Sequence, residues 1–311
     1  MREKLSTLAK EIKQNYNLLK DKVKNIRESN PEKICKVEKV QSDLSVCAVD
    51  GGLLYHRMHG ADIVLCRAVG VHFVYSNSKL QSFVYHPEKN PKPDVFIENS
   101  LDEHEALVFR SLIRLKEELS CSIECLEKFS PQVMLIDGSL LPLPSDCPQK
   151  ESDLFKLYIE VLELYKKLYQ NCNDRKCFLI GVIKDARSKK LAKEFGLNCS
   201  DSVLCNLLLD AYERTEKIPY SENNKQISVF YIKPAKNDLP LRIETTSSEI
   251  DKVAAIICGL SALGENFAYP AVLIEADMCA ALDPNEIESI EASLTSLSGL
   301  KPLRRNTRPF R

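Results

Sequence analysis

The sequence lacks the motifs of the common nucleotide-dependent and histidine-dependent enzymes. It has no GxxxxGK(S/T) run, which excludes a P-loop ATPase, and no GxGxxG after a predicted strand, which removes the dinucleotide fingerprint. HExxH and GxSxG are missing as well. Histidine is scarce: His56, His59, His72 and His86 fall before residue 90 and His104 opens a predicted helix, so nothing supports a histidine-based hydrolase. No apolar run approaches bilayer length, and the mixed-charge N-terminus MREKLSTLAKEIKQNY has no apolar signal core. The expected location is therefore the cytoplasm, with no membrane partner. The twelve cysteines include no CxxC pair, so the zinc-knuckle spacing is absent. Several sit inside VCAV, VLCRAV and AIICGL, where a thiol behaves as a small hydrophobe, and reduced core cysteines are expected. The formal net charge of −1 denies the chain the basic excess typical of a non-specific DNA binder.

What is present is an ordinary globular composition, 44% hydrophobic and 28% charged, over 311 residues. That is enough for one large domain or two small ones. Two Asp-Gly steps stand out, SVCAVDGG with Asp50 and VMLIDGSL with Asp137. Each reads as a buried strand that stops, exposes one carboxylate and turns on a glycine. Two acids at neighbouring strand ends make a hard-oxygen pocket for a divalent cation. Either one alone is equally a turn or capping aspartate.

The pattern predicts a helix over 2–28, a strand at 44–50, a long strand at 61–75 with a hairpin partner at 81–86, and a proline-rich loop, PEKNPKPD. A helix over 101–128 carries the apolar stripe Val108, Leu112, Leu115, Leu119, Ile123 and Leu126. Strands follow at 132–137 and 177–184, with a helix at 151–170 between them. Helices are expected at 187–195 and 201–214, then two strands joined by AKND, then helices at 248–263, 270–281 and beyond Pro284. Successive strands followed by alternating helices and strands predict an α/β fold, a mixed sheet flanked by helices, with helical additions at both ends. The domain reading is an N-terminal helix over 1–30 and one domain over 31–311.

A metal site needs more than two acids. On the 101–128 helix Glu118 lies on the flank of the apolar stripe, Glu117 points away from it, and Glu105 is near the helix start. Lys184 ends a strand and precedes Asp185, where a cation could neutralise phosphate charge. Tyr269 stands just before a helix whose first residue is Pro270. Asp277 lies two turns along in a mostly apolar stretch, with Glu275 as its rival. The tail LKPLRRNTRPFR carries Lys301, Arg304, Arg305, Arg308 and Arg311 with no acid, and is read either as a phosphate grip or as a solvated end.

With these residues the chain resembles the NurA nuclease family, found mostly in archaea. The resemblance spans about residues 44 to 285 and rests on AVDGG, the helical glutamate before the second aspartate, LIDGSL, IKDARS and the tyrosine-proline helix. It implies an RNase H-like core and a metal-dependent deoxyribonuclease that prefers Mn²⁺, with Mg²⁺ as the alternative. It further implies a homodimer acting on DNA as a 5′–3′ exonuclease and single-strand endonuclease, in end resection beside a hexameric HerA-type ATPase. By this resemblance Asp50, Glu118, Asp137 and Asp277 would hold the metal, Glu117 being the alternative helical ligand. Lys184 and Tyr269 would complete the catalytic set. The family usually carries a histidine where this chain has Asp277, so a weakened subunit that only binds DNA or the ATPase is the alternative. A phosphatase built on the same acids is a third reading.

Overall fold

The computed structural model describes residues 2–38, 43–99, 101–184, 186–222, 224–261, 263–299 and 301; Asp185 and the tail arginines Arg304, Arg305, Arg308 and Arg311 lie outside them. In chain order the elements begin with α1 (Arg2–Ser29), β1 (Ile34–Lys36), β2 (Leu44–Met58), β3 (Ala61–Ser76), β4 (Lys79–His86) and β5 (Asp94–Asn99). Then come α2 (Glu103–Phe129), β6 (Val133–Asp137), α3 (Leu154–Asp174), β7 (Phe178–Ile183), α4 (Lys190–Glu194) and α5 (Asp201–Leu208). The chain closes with β8 (Glu213–Thr215), β9 (Ile218–Pro219), β10 (Ser228–Lys233), β11 (Leu241–Thr245), α6 (Ile250–Leu260), α7 (Ala271–Ala280) and α8 (Pro284–Ser298). These fall into two compact units, Gln41–Gly181 with Ala271–Arg311, and Met1–Val40 with Val182–Pro270.

In the first of these units the strands run β7-β6-β2-β3, with β4 and β5 sharing the far edge of β3. β6 lies parallel to β2 and the β2–β3 pair is antiparallel, which makes the sheet mixed. One expectation fails here. The strand predicted to stop at Asp50 continues through Gly51 and Gly52 to Met58, paired with β3 without a break from Leu44↔Tyr75 to Met58↔Ala61. Asp50 is therefore a mid-strand residue, and its glycines do not turn the chain. Asp137 does end its strand, and Gly138 turns at φ +137. β5 was not expected; it forms just after the proline-rich loop, where DVFIEN finds a free edge of β3.

α2 begins at Asp102, whose carboxylate accepts a hydrogen bond from the Glu105 amide, and ends at Ser130 in the left-handed region. It packs against β2, β3 and α3. Its buried face carries Val108, Leu112, Leu119, Ile123 and Leu126 as the stripe predicts, with Leu115 only half-buried and Glu118 buried among them. α7 packs against the same two strands. Neighbouring strand residues point to opposite faces. A Cβ on Gly51 would meet the Glu118 side chain of α2, and one on Gly52 would meet the Ala280 carbonyl of α7. The two helices therefore cover opposite faces of β2, and residues 46–50 are buried on both sides.

The other unit holds the antiparallel order β1-β8-β10-β11, with β9 beside β10. The helix expected over 201–214 stops at Leu208. Leu209 is extended, Tyr212 takes φ 64, and residues 213–215 pair as strand β8. Asp201 is fully buried and accepts hydrogen bonds from the Lys190 and Ala192 amides and the Tyr231 hydroxyl, which ties α4, α5 and β10 together. Val23 of α1 joins the apolar cluster of Leu191, Leu204, Leu208 and Tyr231. Arg27 donates to both carboxylate oxygens of Glu213. Further toward the N-terminus the apolar stripe of α1, Leu5, Leu8, Ile12 and Tyr16, is exposed.

Candidate metal centre

β6 supplies Asp137, and its last pair with β2 is Ile136 with Val49, so Asp50 sits beside the point where β6 ends. The turn is pressed close to β7: a Cβ on Gly181 would fall 2.6 Å from the Gly138 carbonyl oxygen, a contact only glycine permits. Asp50 faces α7, and its carboxyl comes within hydrogen-bonding reach of Asp277. The Gly51 amide donates to Asp50 Oδ1 at 2.8 Å. Burial and then the Asp137 charge, with Asp277 adding to both, push Asp50 up to about 7 against that one opposing amide. Asp277 itself is exposed on α7, so it does not carry the cost of a lone buried acid that its apolar surroundings suggested. Its rival Glu275 is taken up elsewhere, accepting from the Tyr85 hydroxyl at 2.7 Å.

Glu118 approaches from the opposite face. It is 4% exposed, and its Oε1 would lie 2.6 Å from a Gly51 Cβ, so the carboxylate occupies the space a side chain there would fill. Burial drives Glu118 up to about 8; the Asp50 and Asp137 charges add to this and Arg114 opposes it. Oε1 is buried and accepts no hydrogen bond among the described residues, with Arg114 Nε standing 3.5 Å away. Glu117, the alternative helical acid, is half-buried and is raised first by burial and then by Asp94, on a different side of α2.

As the side chains stand, no group of three or more His, Cys, Asp or Glu among the described residues closes around one ion. β2 separates Glu118 from Asp50 by one residue and a change of face. The donor set nevertheless suits a hard divalent cation. It consists of carboxylates, two of which burial first and mutual repulsion second lift toward neutrality, plus one buried oxygen that accepts no hydrogen bond among the described residues.

Lys184 and Tyr269 belong to the other unit and meet there: Lys184 Nζ lies 4.1 Å from the centre of the buried Tyr269 ring. Three residues around the acids escaped the sequence reading. Arg114 sits one helical turn before Glu118, a spacing that does signal an ion pair. Gly52 and its cross-strand partner Arg67 lie under the end of α7. Arg67 donates to the Ala280, Ala281 and Pro91 carbonyls, and no sequence motif marks that clamp.

Comparison with known proteins bears on this arrangement. Residues 44–282 match the model of the NurA domain. The fold is shared with the NurA nuclease from Sulfolobus solfataricus at a TM-score of 0.64 and 17% identity, over 95% of this chain and 97% of that one. A NurA structure bound to dAMP and manganese aligns at a TM-score of 0.57 and 12% identity, over 93% and 97% of the two chains. No curated protein matches the sequence. The fold class is RNase H-like, a mixed sheet flanked by helices, with helices at both termini.

Proposed function

Since the chain belongs to the NurA family, we propose that it is a metal-dependent deoxyribonuclease, hydrolysing phosphodiester bonds in DNA. The observation that carries this reading is the acid group where β6 ends. Asp50 is held beside Asp137 and Asp277 with its carboxyl pushed up to about 7, and one oxygen of Glu118, behind Gly51, accepts no hydrogen bond among the described residues. Such a group is costly as it stands, and a divalent ion relieves it.

Asp50, Asp137, Asp277 and Glu118 would hold the ion. Mn²⁺ is the ion proposed, a NurA structure having been solved with manganese bound, and Mg²⁺ the alternative. Bound there, it supplies the positive charge that readies a water for attack near neutral pH and offsets charge on the leaving oxygen. The chain's own part begins with the proton that Asp50 holds against Asp277. A bound ion would favour the ionised Asp50, so metal uptake would be coupled to proton release. The Gly51 amide keeps Asp50 Oδ1 oriented throughout. Lys184 and Tyr269 are assigned to the DNA phosphates on their chemistry, a compact cation and a hydroxyl donor.

Incubating the protein with labelled single- and double-stranded DNA, in Mn²⁺ or in EDTA, tests the reading. Cleavage is expected in Mn²⁺ only, and Asp50→Asn is expected to abolish it while leaving the melting curve cooperative. If the Asn variant cuts as fast as the natural chain, the site assignment is wrong. The weakened-subunit reading draws on Asp277, an exposed carboxylate where the family usually has histidine. It predicts DNA binding without cleavage in the same assay.

The finer role follows the family: 5′–3′ exonuclease and single-strand endonuclease activity, in end resection beside a HerA-type ATPase. A second copy of the chain would cover Leu5, Leu8, Ile12 and Tyr16 on α1, which supports a homodimer.

A further inference from the structure

Arg114 is poorly employed where it stands. Its Nε lies 3.5 Å from Glu118 Oε1, too long and too poorly aimed to satisfy that oxygen, which accepts no hydrogen bond among the described residues. The side chain is 44% exposed while Glu118 is buried. The guanidinium makes no hydrogen bond to any described residue, whereas Arg67 and Arg57 on the same unit are both fastened to backbone carbonyls. Yet Arg114 is aimed at the acids. Its Nε is turned to Glu118, whose carboxylate fills the space behind Gly51, the residue next to Asp50. It therefore stands, 44% exposed, beside buried Glu118 as a fixed positive charge whose fork of donors is unused among the described residues.

A phosphodiester approaching Asp50, Asp137, Asp277 and Glu118 meets four carboxylates, and its own negative charge must be balanced by donors that stay charged. The planar guanidinium matches two non-bridging phosphate oxygens at once, which a lysine cannot do. We propose that Arg114 is a catalytic residue of this site. It leaves Glu118 when DNA binds and donates to the non-bridging oxygens of the scissile phosphate, where negative charge builds in the transition state. The inference rests on the nuclease reading of the acids. It differs from a structural role, in which Arg114 would only hold Glu118 in place.

The two roles separate when turnover and metal binding are measured on the same variants. Arg114→Met, Arg114→Lys and Asp50→Asn are compared with the natural chain for kcat and KM on a short single-stranded DNA in saturating Mn²⁺. Mn²⁺ affinity is measured without DNA, from the electron paramagnetic resonance signal of the free ion. For Arg114→Met, kcat is expected to fall about 100- to 1,000-fold, the loss typical of one transition-state donor. Its Mn²⁺ affinity is expected to hold or tighten, because a cation has been removed from beside the site. Arg114→Lys is expected to recover part of kcat, since it keeps the charge and loses the fork. Turnover of Arg114→Met within about threefold of the natural chain would overturn the proposal. So would Mn²⁺ affinity falling in step with turnover, which marks an arginine that serves only Glu118. If the natural chain fails to cut, or Asp50→Asn cuts as well as it does, the nuclease reading falls and this assignment with it.

Discussion

Replacing Gly52 by alanine would place a Cβ 1.8 Å from the Ala280 carbonyl oxygen and 2.7 Å from its carbon. Both are backbone atoms at the end of α7, so no rotamer change relieves the overlap. The carbonyl cannot yield freely either, because Arg67, the cross-strand partner of Gly52, donates to that same oxygen at 3.1 Å. Either β2 or the end of α7 must move by more than an ångström. Forced repacking of this kind costs about 1–3 kcal/mol, occasionally more, and the immovable partner places Gly52→Ala at the upper end. Gly70 offers the contrast on the neighbouring strand. A Cβ there would fall 2.1 Å from Cys125 Sγ, the tip of a side chain. Adding Cys125→Ala removes the obstacle, so the Gly70→Ala/Cys125→Ala pair is expected to be more stable than Gly70→Ala alone, with a coupling of about 1–2 kcal/mol. No truncation rescues Gly52→Ala. Urea unfolding in EDTA measures the natural chain, Gly52→Ala, Gly70→Ala, Cys125→Ala and the Gly70→Ala/Cys125→Ala pair. Gly52→Ala should also bind Mn²⁺ more weakly, because the helix it displaces carries Asp277. A Gly52→Ala protein within about 0.5 kcal/mol of the natural chain, with unchanged Mn²⁺ affinity, would refute the claim that α7 is seated on that glycine.

The raised acids give a pH signature with a definite sign. Asp50 moves from the usual 3.8 to about 7 and Glu118 from 4.5 to about 8, so the folded protein holds more protons than the unfolded chain between those limits. In EDTA the melting temperature is therefore expected to fall as pH rises from about 4 to about 8. Asp50→Asn should flatten the lower part of that slope and Mn²⁺ should abolish it; a melting temperature that rises across this window contradicts the burial of the two acids. Asp62 is fully buried, accepting from the Leu101 amide and the Tyr55 hydroxyl and pairing with Arg57. Asp62→Ala leaves the Leu101 amide and the Tyr55 hydroxyl unpaired and Arg57 with only the Leu101 carbonyl, and should cost about 3 kcal/mol in urea unfolding, while Tyr55→Phe, which removes one donor, should cost about 1 kcal/mol. If two copies pair through α1, Leu8→Glu with Ile12→Glu should halve the mass seen by light scattering; an unchanged mass moves the dimer contact elsewhere.

Periodicity and chain order were enough to read α1, α2 and the long β3 strand, because a stripe or a run of buried residues is a local property of the sequence. Asp-Gly-Gly looks locally like a turn, so the sequence predicts a strand end at Asp50. Nothing local could show that the 58 end of that strand pairs with β3 all the way, nor that both glycines exist to admit another element. Gly51 admits the carboxylate of Glu118 and Gly52 admits the carbonyl of Ala280, residues 67 and 228 positions further along the chain. The same limit applies to the acids. As candidates they are legible because a hard-metal site needs carboxylates, and the strand that ends at Asp137 is marked by its apolar run. Their arrangement was not, since the face on which Glu118 meets β2 depends on how α2 is rotated against the sheet. Arg114 shows the consequence for chemistry. From the sequence it is the i−4 partner of a helical glutamate, one of many such pairs and worth little. Only the burial of Glu118 and an Oε1 that accepts no hydrogen bond among the described residues set Arg114 apart as a half-exposed cation beside an unsatisfied acid.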